Sequence, residues 1–338
     1  MRIPFQASLW IFLLSTATCF QIQAAIAPRS VPEQAPLALA AEYYVEHRQF
    51  ERALEMYRTL LQQDAVVPRH WERVATLALY LEGRNSAQEI VQRFFSLPDS
   101  VKRNWDSVDH FLDGLYGSFL TDRGQALYLQ GMVRFERGDC EGALPFFKQS
   151  LDQERNHLVV MRHQTECEMK NGAYSQAYET IKNRYALNPL NRAVAESLAE
   201  LHLYFGSVSA ALELVKEYSR YRVPSPRLLV VQAIALARKT DREEAWQAFR
   251  KVDQAIPQRD MPAIVFWEKA KLLETDPKRN SPLAKSQLTS WLKHFQGIPD
   301  KKKQFDPYKA TTLREPASKW LAELTTPDPA AAPKTKTR

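Results

Sequence analysis

An alanine that recurs every 34 residues is the feature that most constrains what this chain can fold into. The positions that keep this spacing are Ala53 and Ala87 near the start and, further along, Ala143, Ala177, Ala211 and Ala245. A fixed period of this size is typical of a stacked-repeat architecture, in which each repeat packs mainly against its two neighbours.

Residues at fixed distances from the alanine describe the repeat unit. Four positions after it stands a bulky apolar residue: Tyr57, Val91, Phe147, Ile181, Val215 and Phe249. Twelve positions before it stands a small residue in most repeats: Ala41, Ala75, Gly131, Thr165, Ala199 and Ala233. Apolar positions three, four and seven apart predict two short helices with one apolar stripe each. The small residues leave room for the two helix backbones to cross closely.

Glycines between the apolar stripes mark the turns of the repeats. Gly138, Gly172 and Gly206 stand at these points, and glycine tolerates the left-handed conformation that ends a helix. Elsewhere glycine is scarce, with 10 in 338 residues. This composition argues against β-sandwiches, barrels and glycine-rich nucleotide loops. The sequence therefore predicts an all-α chain of helix-turn-helix units.

This pattern resembles the tetratricopeptide repeat (TPR) family over residues 34–257. The residues that carry the resemblance are Trp71 in the second repeat; Leu127, Gly131, Gly138, Asp139, Ala143 and Phe147 in the third; and Gly172, Tyr174, Ala177 and Pro189 in the fourth. The resemblance implies a right-handed superhelical solenoid.

The chain is expected to have six parts. They are a signal peptide at 1–27, repeats one and two at 34–100, an inserted helix at 101–123, repeats three to six at 124–257, a divergent terminal helix pair at 258–296, and a basic, partly disordered tail at 297–338. The inserted helix has an apolar stripe from Val108 to Phe119. We expect it to pack against the solenoid, with pairing to a partner as the alternative.

The first 27 residues have the pattern of a secretory signal. Arg2 precedes an apolar run from Leu9 to Leu14, and Ala25-Ile26-Ala27 is a small-x-small cleavage site. An uncleaved anchor is the alternative, and the polar Gln21 and Gln23 count against it. No second apolar stretch is long enough to span a bilayer. We therefore expect an exported protein, periplasmic or secreted, that is not an integral membrane protein.

Two cysteines, Cys140 and Cys167, would remain after cleavage. The TPR resemblance implies that they face each other across the junction of repeats three and four. In an oxidising compartment they could form a disulfide. The alternative is a pair of buried thiols that pack as small apolar residues.

The net charge of +7 is concentrated near the end of the chain. Residues 296–338 hold nine Lys and Arg against five Asp and Glu, a net +4. A charge excess in a terminal tail is more typical of a solvated segment than of a nucleic-acid site. We expect no nucleic-acid partner.

The sequence contains no familiar catalytic or metal-binding motif. The sequence lacks a His-Glu-x-x-His metal motif, a Gly-x-Ser-x-Gly elbow, a Walker loop and a dinucleotide glycine fingerprint. We expect no enzyme activity, no cofactor and no metal. An enzyme with an unrecognised site is the least favoured reading, because helical pairs leave no separate catalytic domain.

The TPR resemblance also implies a concave groove, lined by positions five, nine and twelve of each repeat's first helix. Carried onto this sequence, the lining is Tyr128, Met132 and Phe135 in repeat three; Arg162, Glu166 and Met169 in repeat four; Glu196, Glu200 and Leu203 in repeat five; and Val230, Ile234 and Ala237 in repeat six. This lining is apolar at both ends and charged in the middle. It would suit an amphipathic helix or an extended segment with apolar anchors. The alternative is that the inserted helix or the C-terminal helices cover the apolar ends.

The functional expectation is a non-enzymatic scaffold of the bacterial cell envelope that binds an envelope protein or peptide segment in this groove. The alternative is a glycan- or peptidoglycan-associated accessory protein. Its physical basis would be stacking of Tyr and Trp rings on sugars, in the groove or at the basic tail.

Overall fold

The computed structural model describes residues 36–65, 67–98, 105–239, 241–276, 279, 281–297 and 305–325. The predicted signal peptide and the final thirteen residues of the predicted tail lie outside these ranges. The chain divides into two units, Met1–Asn104 and Trp105–Arg338, which are taken in turn. Every helix in the described ranges is too short or too polar to cross a membrane.

The first unit contains two helix pairs. Its helices are α1 Leu37–Glu46, α2 Phe50–Gln63, α3 Pro68–Leu81 and α4 Arg84–Ser96. The core of this unit forms where α1, α2 and α3 meet, around Ala41, Ala53, Tyr57 and Val74. These residues include the predicted small, alanine and bulky positions of the first repeat.

The second unit continues the series of helix pairs after one additional helix. Its helices are α5 Trp105–Gly117, α6 Asp122–Glu136, α7 Cys140–Gln153, α8 Leu158–Lys170, α9 Tyr174–Leu187, α10 Arg192–Tyr204, α11 Val208–Tyr218, α12 Pro226–Arg238, α13 Arg242–Ala255, α14 Ala263–Glu274, α15 Pro282–Gly297 and α16 Arg314–Thr325. Two short 3-10 helices occupy Gln258–Asp260 and Ala310–Leu313. The described residues contain no β-strand.

The alanines of the 34-residue period are completely buried where the paired helices pack together. All six have 0% of their surface exposed, and the bulky residue four positions later is buried in each repeat. At Gly131 even one added carbon would be too large, because a Cβ there would lie 2.6 Å from Cε1 of Phe147. The prediction of closely crossing helices with a small residue at the crossing is confirmed.

The turn glycines have the predicted left-handed backbone. Gly138, for example, has a φ of 78°. Its N–H donates to the carbonyl of Phe135 at 2.9 Å, and the Asp139 N–H donates to that of Arg134 at 3.0 Å. The Asp139 carboxylate then accepts from the Gly142 N–H at 2.8 Å and so caps the next helix. One turn of this kind therefore ends α6 and begins α7.

Helix α5, in the predicted insertion, packs against the repeats. Val108, Leu112 and Leu115 on its apolar stripe are buried. Its acidic face reaches the loops between later repeats. Asn188 donates to the carboxylates of Asp109 and Asp113, each at 2.8 Å.

Residues 305–325 lie within the predicted basic tail. They form a turn, a short 3-10 helix and helix α16 that pack against the core of the second unit. The residues that hold this stretch in place include the aromatic side chains of Phe305, Tyr308 and Trp320. These rings follow no repeat period, so the periodic pattern gave no sign of their packing.

Candidate peptide-binding groove

The predicted groove residues lie on α6, α8, α10 and α12, the first helices of repeats three to six. The structure separates them into two groups. Those on α6 and α8 are exposed or half-buried, whereas most of those on α10 and α12 are buried. We call the first group the open end and the second the occupied end of the groove.

At the open end, charged and apolar side chains reach the surface together. Arg162 and Glu166 are exposed, and Met132, Phe135 and Met169 are half-buried. Two apolar residues that the groove prediction did not name also lie on α6. They are Leu129 and Val133, and each is 53% exposed. Their spacing of four residues on a surface helix is the signal that could have identified them.

Tyr128 is covered on one side by the connection that follows α5. The ring of Phe119 lies 5.3 Å from the ring of Tyr128 and stacks on His157 at 3.8 Å, centroid to centroid. The Tyr128 hydroxyl lies 3.3 Å from Nδ1 of His163. Cover at this end therefore comes from the connecting residue Phe119.

Burial sets the protonation of this aromatic cluster. It lowers the pKa of His163, and the neighbouring Arg162 guanidinium lowers it further. Burial also raises the pKa of Tyr128. The imidazole is therefore neutral at pH 7, and the phenol keeps its proton. The ammonium of Lys170 sits 4.7 Å from the ring centroid of Phe135, which places a cation at the rim of the cluster.

At the occupied end, the predicted apolar lining is inaccessible. Leu203, Val230 and Ile234 are 2%, 1% and 0% exposed. A stretch of the same chain, Phe305–Leu313, lies over this part of the groove, and we call it the groove segment. Its Phe305 and Tyr308 line one cavity together with Glu200, Arg227 and Val230.

In the charged middle of the groove, an arginine from the next repeat pairs with two glutamates. Arg227 at the start of α12 forms ion pairs with Glu196 at 3.2 Å and with Glu200 at 2.5 Å. Burial nevertheless raises the pKa of Glu200, with Arg227 acting in the opposite direction. Arg227 was not among the predicted groove residues, because the three lining positions per repeat exclude it.

Cys140 and Cys167 are both buried and both unbonded in the structure. Burial, and then hydrogen bonding to the adjacent Cys140, raises the pKa of the Cys167 thiol. The pair packs in the small core between α7 and α8, with Ala143, Phe147 and Val160. The structure therefore has the thiol form of the two alternatives.

Within the ranges that the structure describes, no group of three or more His, Cys, Asp or Glu side chains is placed to hold a metal ion. The groove offers apolar surface, ion pairs and hydrogen-bonding groups, which are the means of binding a peptide.

Comparisons with known proteins gave matches among solved structures. No protein-family model matches the chain, and no curated protein matches it.

Among solved structures, residues 41 to the end of MamA from Desulfovibrio magneticus RS-1 match at 14% identity and a TM-score of 0.43. The match covers 54% of this chain and 100% of that chain. The TPR domain of P58(IPK) matches at 13% identity and a TM-score of 0.32, covering 86% of this chain and 98% of that one. YrrB, described as a TPR protein with an unusual peptide-binding site, matches at 15% identity and a TM-score of 0.26, covering 61% and 92%.

The period, the buried alanines and the paired helices decide the fold. The chain has the TPR fold. Its TPR repeats three to six run from α6 to α13, and α14 and α15 form a further pair beyond the 34-residue period. The hydroxyl of Ser281 accepts from the Ala284 N–H at 3.2 Å and so caps the start of α15.

Proposed function

We propose that this protein is a non-enzymatic scaffold that holds a segment of a protein partner on its concave surface. One observation carries the proposal. The groove surface of the later repeats already holds a turn-forming segment of the same chain, with ring contacts, a hydrogen bond and a cation over a ring. A surface that accepts one peptide in this way has the chemistry to accept another.

The open end is where the partner would make its first contacts. Leu129 and Val133 offer apolar surface, and Arg162 and Glu166 on the next repeat offer charges of both signs. Large exposed apolar side chains are typical of protein-binding surfaces. We propose a partner segment with apolar anchors and at least one charged residue.

The finer proposal places this scaffold in the cell envelope, with an envelope protein as the partner. The support is the sequence of the first 27 residues, with its single arginine, apolar run and small-x-small site. N-terminal sequencing of the protein purified from the producing cell tests this. A mature chain that begins after Ala27 would support export, and an intact Met1 in the soluble fraction would contradict it.

The binding proposal is tested by photo-crosslinking in cells from position 132, which lies at the open end. A photoreactive residue at Met132 should give a discrete protein adduct, which mass spectrometry identifies. The matched control is the same residue at Lys182, which is exposed on the second helix of repeat four. The same adducts from Met132 and from Lys182 would overturn the proposal. So would the absence of any adduct from Met132 and from a second probe at Arg162, which also lies at the open end.

The four tryptophans of the later helices give the glycan alternative no separate support. Four tryptophans pair with each other in the later repeats. Trp246 lies 6.0 Å from Trp291, and Trp267 lies 5.8 Å from Trp320, centroid to centroid. Rings engaged in this way are not arranged as a platform for stacking on sugars, so we propose the protein partner alone.

A further inference from the structure

We infer that the groove segment imitates the partner, and that the occupied end recognises a turn-forming peptide with two aromatic residues three positions apart followed by a lysine. In this chain those residues are Phe305, Tyr308 and Lys309. The groove segment must leave before a partner segment of the same chemistry can bind. The inference rests on the proposed function, since it names the kind of peptide that the groove takes.

The first anchor is the ring of Phe305. It lies 4.9 Å from the ring of Tyr174 and 5.5 Å from the ring of Tyr204, centroid to centroid. Tyr174 begins the second helix of repeat four, and Tyr204 ends the first helix of repeat five. The junction of two repeats therefore forms an aromatic pocket for one incoming ring.

The second anchor, Tyr308, is fixed at both ends by polar groups of the groove. Its hydroxyl donates to Oε1 of Glu200 at 3.4 Å. Its backbone carbonyl accepts from the guanidinium of Arg238 at 3.3 Å. Recognition of a backbone carbonyl is independent of the side chain, so a peptide of another sequence could use the same arginine.

Lys309 supplies the positive charge in the proposed peptide pattern. Its ammonium lies 4.9 Å from the ring centroid of Tyr204, which is also part of the pocket for Phe305. Tyr204 thus contacts an aromatic residue on one part of the segment and a cation on another. A lysine that follows the second aromatic residue is therefore part of the proposed pattern.

The shape of the segment is held by its own residues. The Asp306 carboxylate accepts from the Tyr308 N–H at 3.2 Å and the Thr311 N–H at 2.9 Å. Lys309 has a φ of 55°, in the left-handed region that non-glycine residues seldom adopt. The turn therefore presents both aromatic rings to the groove, as a preformed ligand would.

The segment packs on the core through its apolar side chains, and surface clefts lie beside it. An open cleft of about 890 Å³ lies between the segment and Arg227 and Val230, and another of about 770 Å³ lies between Tyr308, Leu313 and Trp267. Solvent therefore reaches the segment from both clefts.

Helix α16 has its own anchors and can stay in place when the segment leaves. The ring of Trp320 meets that of Trp267, and the Arg314 guanidinium donates to the carbonyl of Gln296 at 2.9 Å. The exchange therefore concerns residues 305–313 and spares the end of the chain.

The test measures binding of a fluorescent synthetic peptide with the sequence of Phe305–Leu313 to the full chain. The double variant F305A/Y308A removes the anchors of the built-in segment and leaves every groove residue intact. We expect the peptide to bind this variant at least about tenfold more tightly than the wild type, because the competing segment is weakened. The matched control K319A/E323A changes two exposed residues of α16 and should bind like the wild type.

Two further measurements keep the result interpretable. A peptide with alanine in place of both aromatic residues should not bind, and E200Q combined with F305A/Y308A should bind the original peptide more weakly. If F305A/Y308A fails to fold, D306A replaces it, since that change loosens the turn and leaves both aromatic rings and the groove in place.

Equal binding to the wild type and the variant, or no binding to a folded variant, overturns the inference. The proposed function fails separately, through the crosslinking experiment at Met132. A discrete adduct there without peptide binding would leave the scaffold proposal standing and reject the imitation of the partner.

Discussion

His163 links the open end of the groove to pH. It is 7% exposed, and its Nδ1 atom lies 3.1 Å from the carbonyl of Val159 and 3.3 Å from the Tyr128 hydroxyl. Burial and the adjacent Arg162 hold its pKa below the ordinary histidine value of 6.5. The folded protein therefore binds a proton at this site less readily than the unfolded chain does.

We predict that the protein loses stability as the pH falls from 7.5 to 5.5. The unfolded chain takes up a proton near pH 6.5 and the folded protein does so only at lower pH, so acid favours unfolding. His70 and His202 act in the same direction, because burial lowers their pKa as well. Urea denaturation at several pH values measures the effect.

The contribution of His163 is isolated by H163Q, which cannot be protonated in this range. The free energy of unfolding of this variant should change less with pH than that of the wild type. Identical pH dependence in the two proteins would show that His163 titrates alike in the folded and unfolded states.

At the scale of the helices, stability depends on how closely the two members of each pair cross. Ala177 on α9 is completely buried at such a crossing, and Ile181, one turn later, packs in the same core. There is no free volume into which a larger side chain could extend.

We predict that A177W destabilises the second unit by at least about 3 kcal/mol, because the indole forces the helices of repeat four apart. The control is A186W, since Ala186 lies on the same helix and is exposed. Thermal melts followed by circular dichroism compare the two. If A177W and A186W melt like the wild type, the assigned repeat register is wrong.

The helix pairs could be predicted from the sequence because packing at a crossing repeats with the chain. Ala177 and Gly131 recur at fixed positions for a steric reason, and Gly138 recurs because a left-handed turn needs it. Contacts that occur only once have no such signal. The pairing of Arg227 with Glu200 and the seating of Phe305 on the groove depend on tertiary placement alone. The groove lining given by repeat position therefore stays a prediction, and the burial of its later residues has no signal in the sequence.

At the scale of the second unit, helix α5 and the residues after it connect three loops that a simple repeat array would leave separate. The Glu154 carboxylate accepts from the Thr121 N–H at 2.7 Å in the loop before α8. Asp109 accepts from Asn188 in the loop before α10 and pairs with Arg222, before α12, at 2.9 Å. In a solenoid each repeat normally contacts only its neighbours, so this helix adds coupling at longer range.

We predict that D109A destabilises the second unit by about 1–3 kcal/mol, because Arg222 and Asn188 each lose a partly buried acceptor. Hydrogen exchange should become faster in the loops around Asn188 and Arg222. The control D152A removes an exposed carboxylate of α7 and should leave both measurements unchanged. Unchanged exchange in D109A would mean that α5 does not couple the repeats.

Because the groove segment belongs to the same polypeptide, its concentration at the groove is fixed by the length of the chain and does not depend on expression. For a short tether this effective concentration is on the order of millimolar. A free peptide that made only the same contacts would have to reach that concentration to occupy half of the grooves. A partner present at about 1 μM must gain roughly a thousandfold in affinity, or about 4 kcal/mol, from additional contacts. The exposed surface of Leu129, Val133, Arg162 and Glu166 is the part of the concave face where such contacts are free to form. The protein would therefore select partners that engage both ends of the groove and reject those that engage only one.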